Sequence, residues 1–137
     1  MAGICTNEGR ALISTWLFSG TSDRGANLEI GLILNTSVGV TSVLADIIQP
    51  TGGGYATKVI APSAWTISNN GTTYNLTSEI LFTPVGGPFV GDVAGYFIKS
   101  TGTTPRLLFA EVVQGVPYQV IEGDVYGIRV KIDLVGA

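Results

Sequence analysis

The residues best equipped for chemistry in this chain are its carboxylates, because histidine is absent and cysteine occurs once. Without imidazole there is no Ser-His-Asp or Cys-His mechanism and no His-ligated metal centre. Cys5 alone builds neither an intrachain disulfide nor a thiolate cluster. Glycoside hydrolysis would take two carboxyls about 5–10 Å apart, one with a raised pKa, and Glu79, Glu111, Glu122 and Asp124 are the acids on offer. The spacing Glu122-Gly123-Asp124 fits a β-turn better, with the Asp side chain bonding nearby backbone amides. Glu79 and Glu111 fall in strand-like runs, where alternate acids face solvent. Asp46, Asp92 and Asp124 carry the oxygen donors that calcium takes, but no Asp-x-Asp-x-Asp-Gly loop groups them, so only the tertiary fold would. The sequence therefore points to no catalytic, cofactor-binding or metal-binding residue.

Two other patterns invite a ligand. Thr51-Gly52-Gly53-Gly54-Tyr55 is glycine-rich, yet it lacks the Gly-Lys-Ser/Thr ending of a phosphate loop and leads into a strand rather than a helix. It reads as a hinge into Tyr55. The aromatics Tyr55, Trp65 and Tyr74 would make a sugar-stacking platform if they shared a face. Core packing is the simpler reading, because Trp65 heads an apolar stretch and tyrosine can keep its hydroxyl at the rim. Asn70-Gly71-Thr72 and Asn75-Leu76-Thr77 match the glycosylation sequon but carry no weight without a secretion signal. Met1 to Glu8 lacks the basic start and long apolar stretch of such a signal, and the expected place of synthesis is a cytoplasm.

The elements that would position these residues are mostly strands. Leu12, Ile13, Trp16 and Leu17 fall on one face at helical spacing, Thr6 or Asn7 caps the first turn, and Gly20 marks the end. Gly9 inside that span costs about 1 kcal/mol relative to alanine, so the helix is expected to be short. From Leu28 to Leu34 the apolar residues alternate with period two. Further strands are predicted at Tyr55–Ile60, Trp65–Ser68, Thr72–Leu76, Glu79–Thr83, Val93–Lys99, Arg106–Val113, Tyr118–Ile121 and Val125–Leu134. Asn69-Asn70-Gly71 is the strongest hairpin signal. The 19 glycines and 6 prolines lie mostly between these runs. The prediction is a single all-β domain over residues 1–137, an antiparallel two-sheet β-sandwich of jelly-roll or Greek-key type, with residues 1–25 as an N-terminal helix or arm. Asn35 to Gly54 is the least regular stretch, and a connection of that size either crosses between sheets or meets a partner.

Composition speaks of surface. The chain has 137 residues, 12% charged and 45% hydrophobic, against about 25% charged in an ordinary soluble domain. Too few charges remain to cover a small domain, which suggests surface hidden against copies of itself or a larger assembly. A net charge of −3 and a pI near 4.7 argue against nucleic acid, whose phosphates call for a basic face. No apolar run approaches the roughly 20 residues of a membrane span.

The order of local motifs resembles small structural proteins of tailed-bacteriophage particles. The features are Asn7-Glu8-Gly9-Arg10-Ala11-Leu12, the strand Leu28 to Asn35, Leu44-Ala45-Asp46-Ile47 ahead of Gly54-Tyr55-Ala56, and Trp65 followed by a hairpin. Glu79 to Thr83, Gly95-Tyr96-Phe97-Ile98, and Glu122-Gly123-Asp124 before a closing strand complete the series. The resemblance implies a non-enzymatic virion component without a cofactor, made in the host cytoplasm and used as a homo-oligomer, foremost a trimer. Its expected role is a capsid cement or decoration protein held by the major capsid protein. The alternative is a tail, baseplate or fibre-associated subunit that binds tail proteins and touches a host glycan. Trp16, Leu17, Phe18, Val38, Val40, Val43 and Leu44 are the apolar residues of the helix and the irregular connection, and so the candidate contact residues.

Overall fold

The computed structural model describes residues 4–19, 23, 25–68, 73–113 and 117–133. In chain order these form β1 (Ile4–Cys5), α1 (Asn7–Ser19), β2 (Leu28–Ile33), β3 (Lys58–Ile60), β4 (Trp65–Ser68) and β5 (Thr73–Leu76). They continue with β6 (Ile80–Phe82), β7 (Gly95–Ser100), β8 (Leu107–Val112), β9 (Tyr126–Ile128) and β10 (Lys131–Asp133), and two 3-10 turns lie at Leu44–Asp46 and Pro62–Ala64. The chain is mostly β, with one α-helix among the described residues.

Three sheets result, and every pairing is antiparallel. The largest runs β1-β8-β7-β2-β3, and the smaller ones are β10-β5-β4 and β6-β9. Strand β7 sits at the centre of the large sheet, and its residues Gly95 to Ile98 are all buried. One face carries Ile30, Leu32, Tyr96 and Ile98, which share a core with Leu76, Phe82, Ile128 and Val130 from the small sheets. The opposite face carries Ile33, Phe97, Leu107 and Ala110, and Val38, Leu44 and Ile47 of the irregular connection pack over it. Gly31 makes room on that face: it pairs with Phe97, and a Cβ on it would come within 2.5 Å of the ring.

The connection from Asn35 to Gly54 therefore packs over one side of the sheet; it does not cross between sheets, because the strands it joins, β2 and β3, pair within the same one. Asn35 clamps it locally, donating from Nδ2 to the Asp46 carbonyl at 2.9 Å and accepting from the Ile48 amide at 2.8 Å.

Helix α1 begins where the sequence placed it. The Thr6 hydroxyl accepts from the Gly9 amide at 3.1 Å as an N-cap, and it donates to the Leu107 carbonyl. A bulge between Ile98 and Lys99 inserts Leu108 into β8, and the Leu108 carbonyl accepts from the Thr6 amide at 3.0 Å. Glu8 ties in the rest. Its Oε2 accepts from the amides of Leu44 at 3.2 Å and Leu107 at 3.0 Å. Phe18, a candidate contact residue outside the predicted stripe, is exposed at 83%. Of the stripe itself, Leu12 is buried, but Ile13 and Leu17 are exposed at 42% and 64%. Gly9 replaces them as the contact, because only a residue without a side chain lets the helix sit this close to β8. The side chain of Trp16 and the predicted stop at Gly20 lie outside the described residues.

Several strands shift. Tyr55–Ile60 shortens to β3 because the three glycines before it take positive φ and the Tyr55 amide closes a turn on the Gly52 carbonyl at 2.9 Å. Tyr118–Ile121 makes only a single bridge, Tyr118 with Val93. Val125–Leu134 is two strands in different sheets, β9 beside β6 and β10 beside β5. β4 and β5 form the predicted antiparallel pair, while the turn residues 69–72 lie outside the described residues. β1 was not predicted, being too short to show any periodicity.

Helix propensity alone would make Gly9→Ala stabilising by about 1 kcal/mol. A Cβ at Gly9 would lie 2.6 Å from the Leu108 carbonyl oxygen, and such crowding costs about 1–3 kcal/mol. The substitution should therefore lower the urea midpoint, and a raised midpoint would show that the helix does not rest on β8.

Candidate functional site

Two surface features bring chemistry-bearing side chains together. The first is a wedge between the large sheet and β10-β5-β4. Leu28, Ile60 and Phe109 form one wall, and Trp65, Ile67, Tyr74 and Ile132 form the other. The space between them is ≈ 290 Å³ and mostly apolar. Its origin is local. β4 is the outer strand of its sheet, and Trp65 heads it half-buried against the main core, while Ile67 two residues on is 63% exposed. The two layers thus part along β4.

Trp65 and Tyr74 share this wedge, but Tyr55 does not join them. Its ring stacks on Phe82 at 6.1 Å and meets Phe89 edge-on at 5.6 Å. Its hydroxyl accepts from the Leu32 amide at 2.9 Å and donates to Gln49 Oε1 at 2.8 Å. Tyr55 is thus a brace joining β2 to the glycine hinge. Burial pushes its pKa up to about 12, against the opposing hydrogen bond from the Leu32 backbone.

The second feature surrounds Glu111. Register sets it opposite Tyr96, whose hydroxyl donates to Glu111 Oε2 at 2.7 Å. Burial, reinforced by this bond and by the carboxylate's charge, pushes the Tyr96 pKa far up. Tyr118 and Tyr126 form an aromatic pair of their own, their ring centroids 5.9 Å apart and tilted by 40°. Burial raises the Tyr126 pKa first, and the nearby Tyr118 and Glu111 add to it. Glu111 was recognisable in the sequence as a strand acid. Its partner Tyr96 was not, because the two meet only through the register of β7 with β8, and no local spacing records that.

The remaining candidates serve the fold. Asp124 accepts from the Ile121 amide at 3.3 Å, as the turn reading required. Asp46 accepts from the Val43 amide at 2.9 Å. Among the described residues no three acidic or thiol side chains gather to hold a metal ion. Cys5 is half-buried, and burial pushes its thiol pKa up despite the opposing influence of Arg10. Glu29 is opposed by burial, but the Thr57 hydroxyl and Lys99 outweigh it and hold its pKa below 4.5. The Glu29–Lys99 ion pair spans 3.2 Å. Of the candidate contact residues, Leu17, Phe18, Val40 and Val43 are exposed, whereas Val38 and Leu44 are partly buried against the core.

No protein-family model matches the sequence, and no curated protein matches it. Among the described residues no helix is long and apolar enough to cross a membrane.

Two measurements check this arrangement. Trp65→Ala should cost about 3 kcal/mol, the low end for a large aromatic because the ring is only half-buried, while Ile67→Thr should stay within about 0.5 kcal/mol. Equal effects in denaturant titrations would mean that the wedge is not built as described. The Tyr55 pKa rises on folding from 10.0 to about 12, so its neutral form stabilises the fold below pH 10 and that contribution is lost as pH climbs to 12. Tyr55→Phe should flatten that part of the stability–pH curve.

Proposed function

We propose that this chain is a non-enzymatic structural protein of a bacteriophage particle. Its foremost role is as a capsid cement that binds the outer shell as a trimer, and its location is the virion. The observation that carries the reading is the uncovered apolar surface of α1, with Leu17 64% and Phe18 83% exposed on a chain only 12% charged. A lone copy gains nothing from leaving such side chains in water, whereas a lattice of copies buries them at every contact. Val40 and Val43 add exposed apolar side chains on the connection that Asn7 holds through the Val40 carbonyl at 2.7 Å.

The fold fits the role. The two small sheets together form the second layer of an antiparallel sandwich, jelly-roll or Greek-key in type, packed on one face of the five-stranded sheet. Cement needs broad, shape-matched contact spread over several capsid subunits and no reactive group. The second reading, a tail, baseplate or fibre-associated subunit, draws on the wedge, where Trp65 and Tyr74 line an open groove suited to stacking on a host glycan.

Light scattering on the purified chain should give a trimer, and Leu17→Asp with Phe18→Asp should give a folded monomer. Cryo-electron microscopy of the particle should show its density repeated over the icosahedral shell. Density confined to the tail would replace cement by the second reading, and absence from the particle would overturn both.

A further inference from the structure

We infer that β4 takes up a further strand from a partner protein: an extended, uncharged peptide segment that pairs with it antiparallel and sets two alternate bulky apolar side chains into the wedge. The inference goes beyond the particle role proposed above and does not rest on it.

The outer side of β4 presents unpaired backbone. The Ala64 carbonyl accepts from the Thr77 amide at 2.9 Å, and the register that follows sets Thr66 opposite Asn75 and Ser68 opposite Thr73. Bonded and non-bonded pairs alternate in an antiparallel ladder. Thr66 and Ser68 therefore bond inward to β5, while Trp65 and Ile67 turn their backbone groups outward. The Trp65 amide is taken by the Pro62 carbonyl. The Trp65 carbonyl and the amide and carbonyl of Ile67 have no partner among the described residues. Other outer strands are guarded or very short. β3 carries Lys58, β10 carries Lys131 and Asp133, β6 follows Glu79, β9 runs into Arg129, and β1 has two residues. β4 has four residues without a charge, a proline or a bulge, and such an edge is a template for another strand.

The wedge decides which side chains that strand carries. Paired residues project on the same face of a sheet. The two residues bonded to Trp65 and Ile67 would thus point toward Leu28, Ile60 and Phe109 of the large sheet, into a space of ≈ 290 Å³ with no charged residue in its lining. A charge placed there would lose water and gain no counter-ion. Ile67, 63% exposed, would gain cover. A sugar would stack on Trp65 but leave the outward amide and carbonyls unpaired. A peptide meets both needs, its main chain giving affinity and the pocket selecting the side chains.

The test is an NMR titration of the 15N-labelled full chain with the blocked peptide acetyl-Lys-Thr-Phe-Thr-Phe-Thr-Lys-amide, whose lysines lie outside the paired stretch. Saturable shifts at residues 65–68, Ile60 and Tyr74 are expected, half-complete below about 1 mM. The same peptide N-methylated at both phenylalanines keeps the side chains but cannot donate to the Trp65 and Ile67 carbonyls, and should bind about tenfold more weakly. Ile67→Pro removes one outward amide from an edge strand, where proline is tolerated, and should weaken binding about fivefold. Ile67→Lys, which sets a charge at the wedge, should do the same and serves if the proline variant fails to fold. The proposal is overturned by an absence of saturation at about 5 mM peptide, by equal binding of the N-methylated peptide, by unchanged affinity in a folded Ile67 variant, or by shifts that saturate away from β4. Shifts at residues 65–68 that saturate with methyl glucoside and not with the peptide, or that appear on concentrating the chain alone, would overturn it in favour of a sugar or a second copy.

Discussion

Strand β7 is apolar on both faces, and most of the molecule answers to that constraint. A strand with Tyr96 and Ile98 on one side and Phe97 on the other is stable only with cover above and below. The two small sheets supply one cover. The other is irregular chain, the stretch from Asn35 to Gly54, which has almost no secondary structure to hold it in place. It is held instead by the Asn35 side chain from within, and by the Glu8 carboxylate and the Asn7 backbone amide at the helix N-terminus. Cover on the second face therefore depends on one capped turn, in which Thr6 and Glu8 join the helix, the connection and the bulged start of β8.

The same turn explains why the helix shows so much apolar surface. Its orientation is fixed at its first residues, by the cap on Thr6 and the approach of Gly9 to Leu108, and not by its bulky side chains. Ile13, Leu17 and Phe18 are left pointing away as a by-product of that docking. Low charge does the rest, because few Lys or Glu side chains stand between these residues and water.

Much of this was legible in the chain, and the failures have physical causes. Alternation found β2, β7 and β8 because long strands repeat their pattern. Chemistry of the first turn found the cap at Thr6. The helix face was misread because four apolar residues at helical spacing name a stripe without saying which side meets the sheet. The segment Val125 to Leu134 looked like one strand because a chain passing between sheets keeps its β-branched composition through the bend at Arg129 and Val130. Trp65 was correctly placed against the core, and the turn at Asp124 was read from its residue types. The bond between Tyr96 and Glu111 was invisible, since it depends on the register of two strands.

The pairing of β1 with β8 also sets a schedule. Ile4 pairs with Ala110, and Thr6 bonds to a carbonyl 101 residues further along. On a ribosome adding about 5–20 residues per second, the first segment waits roughly 5–20 s before its partner has even been made. Loop closure over that distance precedes any reward, which slows folding in the manner of high-contact-order β proteins. Throughout that interval the apolar stripe of α1 has neither a sheet beneath it nor a neighbour over it. The nascent chain is thus at its most adhesive during that wait, when a chaperone or another nascent copy is the nearest thing to meet.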